Sequence, residues 1–271
     1  MMHVVCYSGG HSSALVAIEV VRRFGKGSVI LLNHDINSSV EAEDVKRFKA
    51  EVAEYLELDI TFANIGGLDA DDIPDQFDVC IKSKAFKVGT GTELCTSRLK
   101  TEPFMAWLKK NHQEKDCIIY YGFDANETNR IQRRSSIMAL NGYATDYPLA
   151  LWPERTIGQT IEIGINPPMQ YESFKHANCV GCLKAGRQHW YVVYCRRPDI
   201  YNKAKETEAI IGYSIIAGEY LEDLEAVFED MKRNHIPATE HINSNEFWAG
   251  VRRAGIDTDT DESRIPCECI F

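Results

Sequence analysis

His3-Val4-Val5-Cys6-Tyr7-Ser8-Gly9-Gly10-His11-Ser12-Ser13-Ala14 takes an apolar, β-prone run straight into a Ser-Gly-Gly turn and then into a helical pattern. Strand, glycine turn and helix in that order predict an anion-binding loop. Gly9 and Gly10 admit backbone angles closed to other residues and let a bulky anion reach the main chain. The helix, read from about Ser13 to Phe24, aims unpaired N–H groups and the positive end of its dipole at that anion. Ser8, Ser12 and Ser13 add hydroxyl donors, and His11 stands among them. The loop has no Lys before its Ser, as a Walker A loop requires, and it is not GxGxxG, so both common nucleotide-loop readings fail. The bland alternative is a serine-rich helix start that binds nothing.

With 271 residues, 44% of them hydrophobic and 26% charged, the chain can bury a full core. The first residues read as a strand, not as a charged leader, and no apolar run reaches transmembrane length, so a cytoplasmic protein with no membrane partner is expected. A net charge of -10 argues against bulk binding to nucleic acid, although a local basic patch can still hold phosphates. Nine cysteines with no export signal point to metal, redox or catalytic thiols more than to disulfides.

Outward from the first loop, Ser28 to Asn33 reads as a second buried strand, followed by a Ser38-x-x-Glu41 capping box and a helix with Val45, Phe48, Val52 and Leu56 on its core face. Leu58 to Ala63 is a third strand and Gly66 to Asp72 an acidic surface loop. Asn33 and Asp35 fall at a strand's C-terminal end, where doubly wound folds bind ligands, and are candidate nucleotide contacts; the alternative is a plain turn. Ile73 to Thr92 reads as irregular, with Gly89-Thr90-Gly91-Thr92 as a mobile lid. Cys117 to Gly122 is the fourth strand. A helix is expected near Ile157 to Ile163, and further helices over Arg187 to Cys195, Asp199 to Ile211 and Tyr220 to Arg233, with Trp190, Tyr194, Ile210 and Phe228 as core. The expected architecture is a doubly wound, mainly parallel α/β domain over 1–166 and a helical region over 167–271.

Three further stretches carry chemistry. Cys95 is followed by Arg98, Lys100 and Pro103, and a thiol near cations suits metal ligation or nucleophilic work; the bland reading is a small buried hydrophobe. After the fourth strand come Gly122, Glu127 and Arg130, with Arg133 and Arg134 beyond, where the arginine fork fits phosphate or sulfate. Cys179-Val180-Gly181-Cys182 is a CxxC in a glycine turn, open to zinc, redox or iron–sulfur readings. No second CxxC completes a four-cysteine zinc site, and His176 and His189 lack zinc-finger spacing.

Ser8-Gly9-Gly10-His11-Ser12-Ser13, Cys95-x4-Lys100, Gly122-x4-Glu127-x2-Arg130 and the CxxC, in that order, resemble the PP-loop ATP pyrophosphatase superfamily. Within it, the resemblance is to the family of phosphoadenosine-phosphosulfate (PAPS) reductases. It spans most of residues 3 to 182 and implies an adenine nucleotide α-hydrolase fold, with ATP and Mg2+, or PAPS or its non-phosphorylated form APS, at Ser8 to Ser13. It also implies a four-iron four-sulfur cluster on Cys95, Cys179 and Cys182, with zinc as the alternative and Cys195 as the candidate fourth ligand. The family's reductases end near Glu-Cys-Gly, and here Glu268-Cys269-Ile270-Phe271 keeps the Glu-Cys. The resemblance therefore implies one of two enzymes, or else a non-catalytic nucleotide-binding sensor. One enzyme is an ATP-dependent sulfurtransferase fed by a sulfur donor, in which Cys95 serves. The other is a reductase that uses a thiol reductant, with Cys269 as nucleophile. Whether the acceptor is a nucleic acid or a small molecule, and whether the chain forms a homo-oligomer, stay open.

Overall fold

The computed structural model describes residues 1–258 apart from 90, 92, 114, 115 and 178. In chain order the elements are β1 (Met2–Cys6), α1 (His11–Phe24), β2 (Val29–Asn33), α2 (Glu43–Tyr55), β3 (Ile60–Phe62), α3 (Gln76–Ser83), a helical turn α4 (Leu94–Thr96) and α5 (Glu102–Asn111). There follow β4 (Cys117–Tyr120), α6 (Thr128–Leu140), β5 (Ala144–Asp146), the short α7 (Pro148–Leu151), α8 (Arg187–Arg196), α9 (Pro198–Ile211), α10 (Leu221–Arg233) and α11 (Ser244–Arg253). Two compact units result: Met1–Asp35 with Glu43–Ile73 and Leu99–Met169, and Ile36–Ala42 with Pro74–Arg98 and Gln170–Phe271. The last change of unit along the chain falls after Met169, and two excursions, 36–42 and 74–98, group with the second unit.

The first unit is a doubly wound sheet. Its five strands are all parallel, in the order β3-β2-β1-β4-β5. Period-two alternation sorts β1 between two cores. Val5 and Tyr7 join Phe48 and Val52 of α2 and the Ala14–Ile18 run of α1 on one face, while Val4 and Cys6 join Phe104 and Leu108 of α5 and Met138 of α6 on the other. Both faces being covered explains why the strands read as continuous apolar runs and not as alternating ones. Each fully buried side chain such as Phe48 or Leu108 contributes about 1.5–3 kcal/mol by leaving water. Glu19, buried in α1, is satisfied by the backbone N–H of Thr156 at 2.8 Å and by that residue's hydroxyl.

The second unit is helical, and its centre is aromatic: Trp190, Tyr191, Tyr201, Phe228, Phe247 and Trp248 are buried. The buried phenols are tied down, Tyr201 donating to Leu221 O at 2.6 Å and Tyr191 to Ile236 O at 2.7 Å. Among the described residues no helix is long and apolar enough to cross a membrane.

Several expectations are corrected. The segment 73–92 contains α3, capped by Asp75, whose carboxylate accepts from Phe77 N at 2.8 Å and Asp78 N at 3.0 Å. Helix α2 starts at Glu43, and Ser38 and Glu41 lie before it. β5 pairs with β4 although three residues are too few to show a pattern. Thr160–Ile163 forms only a 3-10 turn. Ile210 is 59% exposed, the i+9 neighbour of buried Tyr201 and on the outer side of α9. The lid expectation rests partly on Thr90 and Thr92, and the Cys267 and Cys269 tail wholly on residues outside the described ones.

Candidate functional site

In the order β3-β2-β1-β4-β5 the chain works outward from β1 to β3, then returns to β4 on the other side of β1. In such sheets the usual ligand position is where the strand order reverses, here beyond the C-terminal ends of β1 and β4. Ser8-Gly9-Gly10 follows β1 directly and Gly122 follows β4. A Cβ on Gly122 would stand 3.1 Å from both Ser12 C and Ser13 N, so the glycine lets the β4 end press against the first turn of α1. Gly122 thus acts through packing of the loop.

The start of α1 suits an anion. Its N-cap Gly10 offers no side-chain acceptor, and the first turn contains no acidic residue, so the helix itself supplies no carboxylate to compete for its early amides. Gly9 requires glycine, with φ of +82° and a would-be Cβ 2.7 Å from Lys49 Cγ and Cδ. Gly10, at φ −85°, does not require it on conformational grounds. Ser13 is buried, and its hydroxyl donates to Gly10 O at 2.8 Å, while Ser8 Oγ donates to Ser13 Oγ at 3.3 Å. These two hydroxyls brace the loop, and Ser12 is the exposed one. His11 Nε2 accepts the Thr160 N–H at 3.2 Å, and burial lowers its pKa, so the ring is a neutral acceptor at that nitrogen.

The other predicted nucleotide contacts divide. Asn33 is buried and spends its amide N–H on Tyr7 O, bridging the ends of β2 and β1; its Oδ1 is buried with no hydrogen-bond partner among the described residues. Asp35 lies 4.0 Å from Lys49 Nζ, and its backbone N–H donates to Asn64 Oδ1 at 2.9 Å. Glu127 takes the Asp124 N–H at 2.8 Å and pairs with Arg130, so these two predicted residues hold each other. Arg130 also lies 4.4 Å over the Phe123 ring, and Arg134, buried, 5.4 Å over Tyr121. Phe123, Tyr121 and Tyr147 are stacked at 5.6 to 6.0 Å, and both arginine Nε atoms are buried without a hydrogen-bond partner among the described residues.

Sequence reasoning missed Lys49. Its side chain is 4% exposed, its stem lies on Gly9, and its own carbonyl accepts the Tyr7 hydroxyl at 3.0 Å. The only signal was a lysine on the apolar face of α2, between Val45 and Val52, where a charge has no packing reason to be.

The second unit holds the predicted thiols. Cys95, Cys179 and Cys182 are half-buried and not in disulfides. The CxxC turn is anchored at every step: Val180 N–H donates to Val40 O at 2.8 Å, Gln76 Nε2 donates to Val180 O at 2.9 Å, and Cys182 N–H donates to His189 Nε2 at 3.2 Å. Gly181 has φ of +74° and a would-be Cβ 2.7 Å from Ile200 Cγ2. Accepting that amide fixes His189 with its proton on Nδ1, which faces Glu240 Oε1 at 2.6 Å. Burial opposes ionisation of Glu240, but the His189 hydrogen bond, the strongest opposing influence, helps bring its carboxyl below the usual range.

Cys195 is placed elsewhere. It sits in α8, where burial raises its pKa against the lowering influence of Tyr191, Lys232 and Arg196, with Glu229 also beside it, and among the described residues no contact brings it to the CxxC. Cys80, not singled out from sequence, does come to Cys95: its buried thiol accepts the Cys95 N–H, and burial with the neighbouring Cys95 and Asp75 raises its pKa to about 12. Among the described residues, the only three-donor group with ligand atoms within 4.8 Å of one another is His112, Asp116 and Cys117, in the segment leading into β4. Burial, then Asp116, raises the Cys117 thiol to about 11.

Comparison with known protein families, with curated proteins and with solved structures found no match.

Proposed function

We propose that the chain is a cytoplasmic PP-loop enzyme of sulfur chemistry that binds ATP and activates an acceptor oxygen for replacement by sulfur. One observation carries the reading: the uncapped, acid-free start of α1 lies at the point where the strand order reverses, with Gly122 packed on it. Backbone amides of the first turn would hold the phosphates, and Lys49 and Arg130 supply cations that the loop's own sequence lacks. An acceptor oxygen forms a bond to the α-phosphorus as the α–β bridge breaks, and pyrophosphate departs with the electron pair. A sulfide donor then bonds to the activated acceptor carbon as the carbon–oxygen bond breaks, and AMP leaves with the oxygen. Mg2+ accompanying ATP would offset the charge of the departing pyrophosphate.

The half-buried, thiol-only set of Cys95, Cys179 and Cys182 suits an iron–sulfur cluster. Such a group supplies electrons, or a site for sulfide where an iron lacks a protein ligand. The test is anaerobic purification with iron and sulfide counts, identification of co-purified nucleotide, and assay of pyrophosphate release with candidate nucleic-acid and small-molecule acceptors. Binding of neither ATP nor its sulfonucleotide relatives overturns the reading. Sulfite release from PAPS or APS with a thiol donor, abolished in Cys269→Ser, replaces it with a reductase. Nucleotide binding without turnover on any acceptor replaces it with a sensor.

A further inference from the structure

Helix α3 joins the two halves of the thiol site through one face. Gln76 and Cys80 are one turn apart on it, so their side chains leave the same side about 6 Å from each other. Gln76, itself buried, donates from Nε2 to Val180 O at 2.9 Å and Gly181 O at 3.3 Å, the two residues between the CxxC cysteines. Cys80 receives the backbone N–H of Cys95 on its sulfur. A third tie runs between the same segments: Lys184 Nζ, two residues past Cys182, lies 3.4 Å from Glu93, two residues before Cys95. The helix is fixed in place from outside, Lys203 of α9 binding the Asp75 cap at 2.6 Å. All of these residues belong to the second unit.

We propose that Cys80 is the fourth thiolate of the metal site whose other three ligands are Cys95, Cys179 and Cys182. This assignment rests on the metal reading proposed above and sharpens it. The sequence contains only one CxxC, and a second pair is supplied by two cysteines 15 positions apart that the fold brings together. Four thiolates saturate a four-iron cluster or a zinc ion, leaving no ligand position for sulfide or substrate. The site then serves to hold the CxxC turn and to store an electron, and the sulfur in the proposed reaction arrives from a separate donor. Cys195, set among Tyr191, Lys232 and Glu229, is not a ligand.

The test uses the full chain, purified and reconstituted anaerobically with iron and sulfide, as wild type, Cys80→Ser, Cys80→Ala and Cys195→Ala. Expected are about four irons per chain in wild type and in Cys195→Ala, and a fall to below about half in both Cys80 variants. Circular dichroism establishes that the variants are folded. Should neither Cys80 variant fold, Mössbauer spectra of wild type decide: irons without one distinct subsite support four cysteine ligands, and one differentiated iron overturns the assignment. Wild-type iron and sulfide content retained in folded Cys80→Ser overturns it as well. One zinc per chain, lost in Cys80→Ser, supports Cys80 as ligand while replacing iron. Wild type that holds neither metal overturns the underlying metal reading and the assignment together.

Discussion

Gly122 and Ser13 belong to different strand–helix units of the sheet, yet a methyl group on the former would stand 3.1 Å from the backbone nitrogen of the latter. That nitrogen is among the first amides of α1, so the contact sets where those amides sit. Gly122→Ala is expected to push the β4 end and the loop apart at a cost of about 1–3 kcal/mol, as overpacking does. Nucleotide affinity should fall about tenfold or more, and titration calorimetry on the folded variant measures it. Unchanged affinity would show that the loop's geometry does not depend on β4.

Lys49 offers a cleaner separation of charge from packing. Its stem lies on Gly9 and its ammonium lies 4.0 Å from Asp35. Lys49→Met keeps the apolar stem and removes the cation. Thermal stability should change little, since a carboxylate that is 13% exposed can find solvent, whereas ATP affinity should fall about tenfold. Lys49→Arg should bind better than Lys49→Met if charge is what matters. Equal affinity in all three proteins would make Lys49 purely structural.

Much of the first unit was legible because burial on both faces writes itself as apolar runs separated by glycine and polar turns; β1, β2 and the helix after the loop needed nothing more. β5 was not legible, since Ala144-Thr145-Asp146 is short and polar and exists as a strand only because β4 offers it an edge. Neither was α3. Its Asp75 cap and Asp78 partner are a capping signature, but the preceding acidic loop and following glycines mask it. At the loop itself, residue types were read correctly as polar while their direction was not: Ser13 points at Gly10 O and Asn33 at Tyr7 O, choices made by tertiary packing. Cys80 and Lys49 were invisible because each resembles, in sequence, one more residue on a helix.

His34 gives the protein an acid-sensitive core. Burial, aided by Lys100 and opposed by the hydrogen bond to Ala63 O, lowers its pKa from 6.5 to about 4. Between those values the unfolded chain binds a proton that the folded chain refuses, so stability rises with pH across this window and is complete above pH 6.5. The gap corresponds to about 3 kcal/mol lost on acidification from 6.5 to 4. Urea unfolding at a series of pH values should show a positive slope of stability against pH there. His34→Gln, which keeps a donor for Ala63 O, should flatten it, and an unchanged slope in that variant would assign the effect to other groups.

Gly181 tests whether the CxxC turn is rigid by necessity. Two separate penalties attend a side chain there: φ of +74° is disfavoured for an L residue, and the Cβ would come within 2.7 Å of Ile200 Cγ2 and 3.2 Å of Phe77 Cζ. The first is intrinsic to the backbone, costing about 1 kcal/mol; the second depends on neighbours and is removable. Gly181→Ala is therefore expected to destabilise by about 2–4 kcal/mol in total. Ile200→Ala on its own leaves a cavity and also destabilises. In the double variant the added methyl occupies part of the space vacated by Ile200, so the two losses should add to less than their sum by about 1 kcal/mol or more. Equilibrium unfolding of the four proteins provides the cycle, and the alkylation rate of Cys179 and Cys182 reports the turn directly. Faster alkylation in Gly181→Ala, partly reversed in the double variant, would show that packing on Ile200 holds the cysteines in place. Strict additivity would mean that the backbone angle alone demands the glycine.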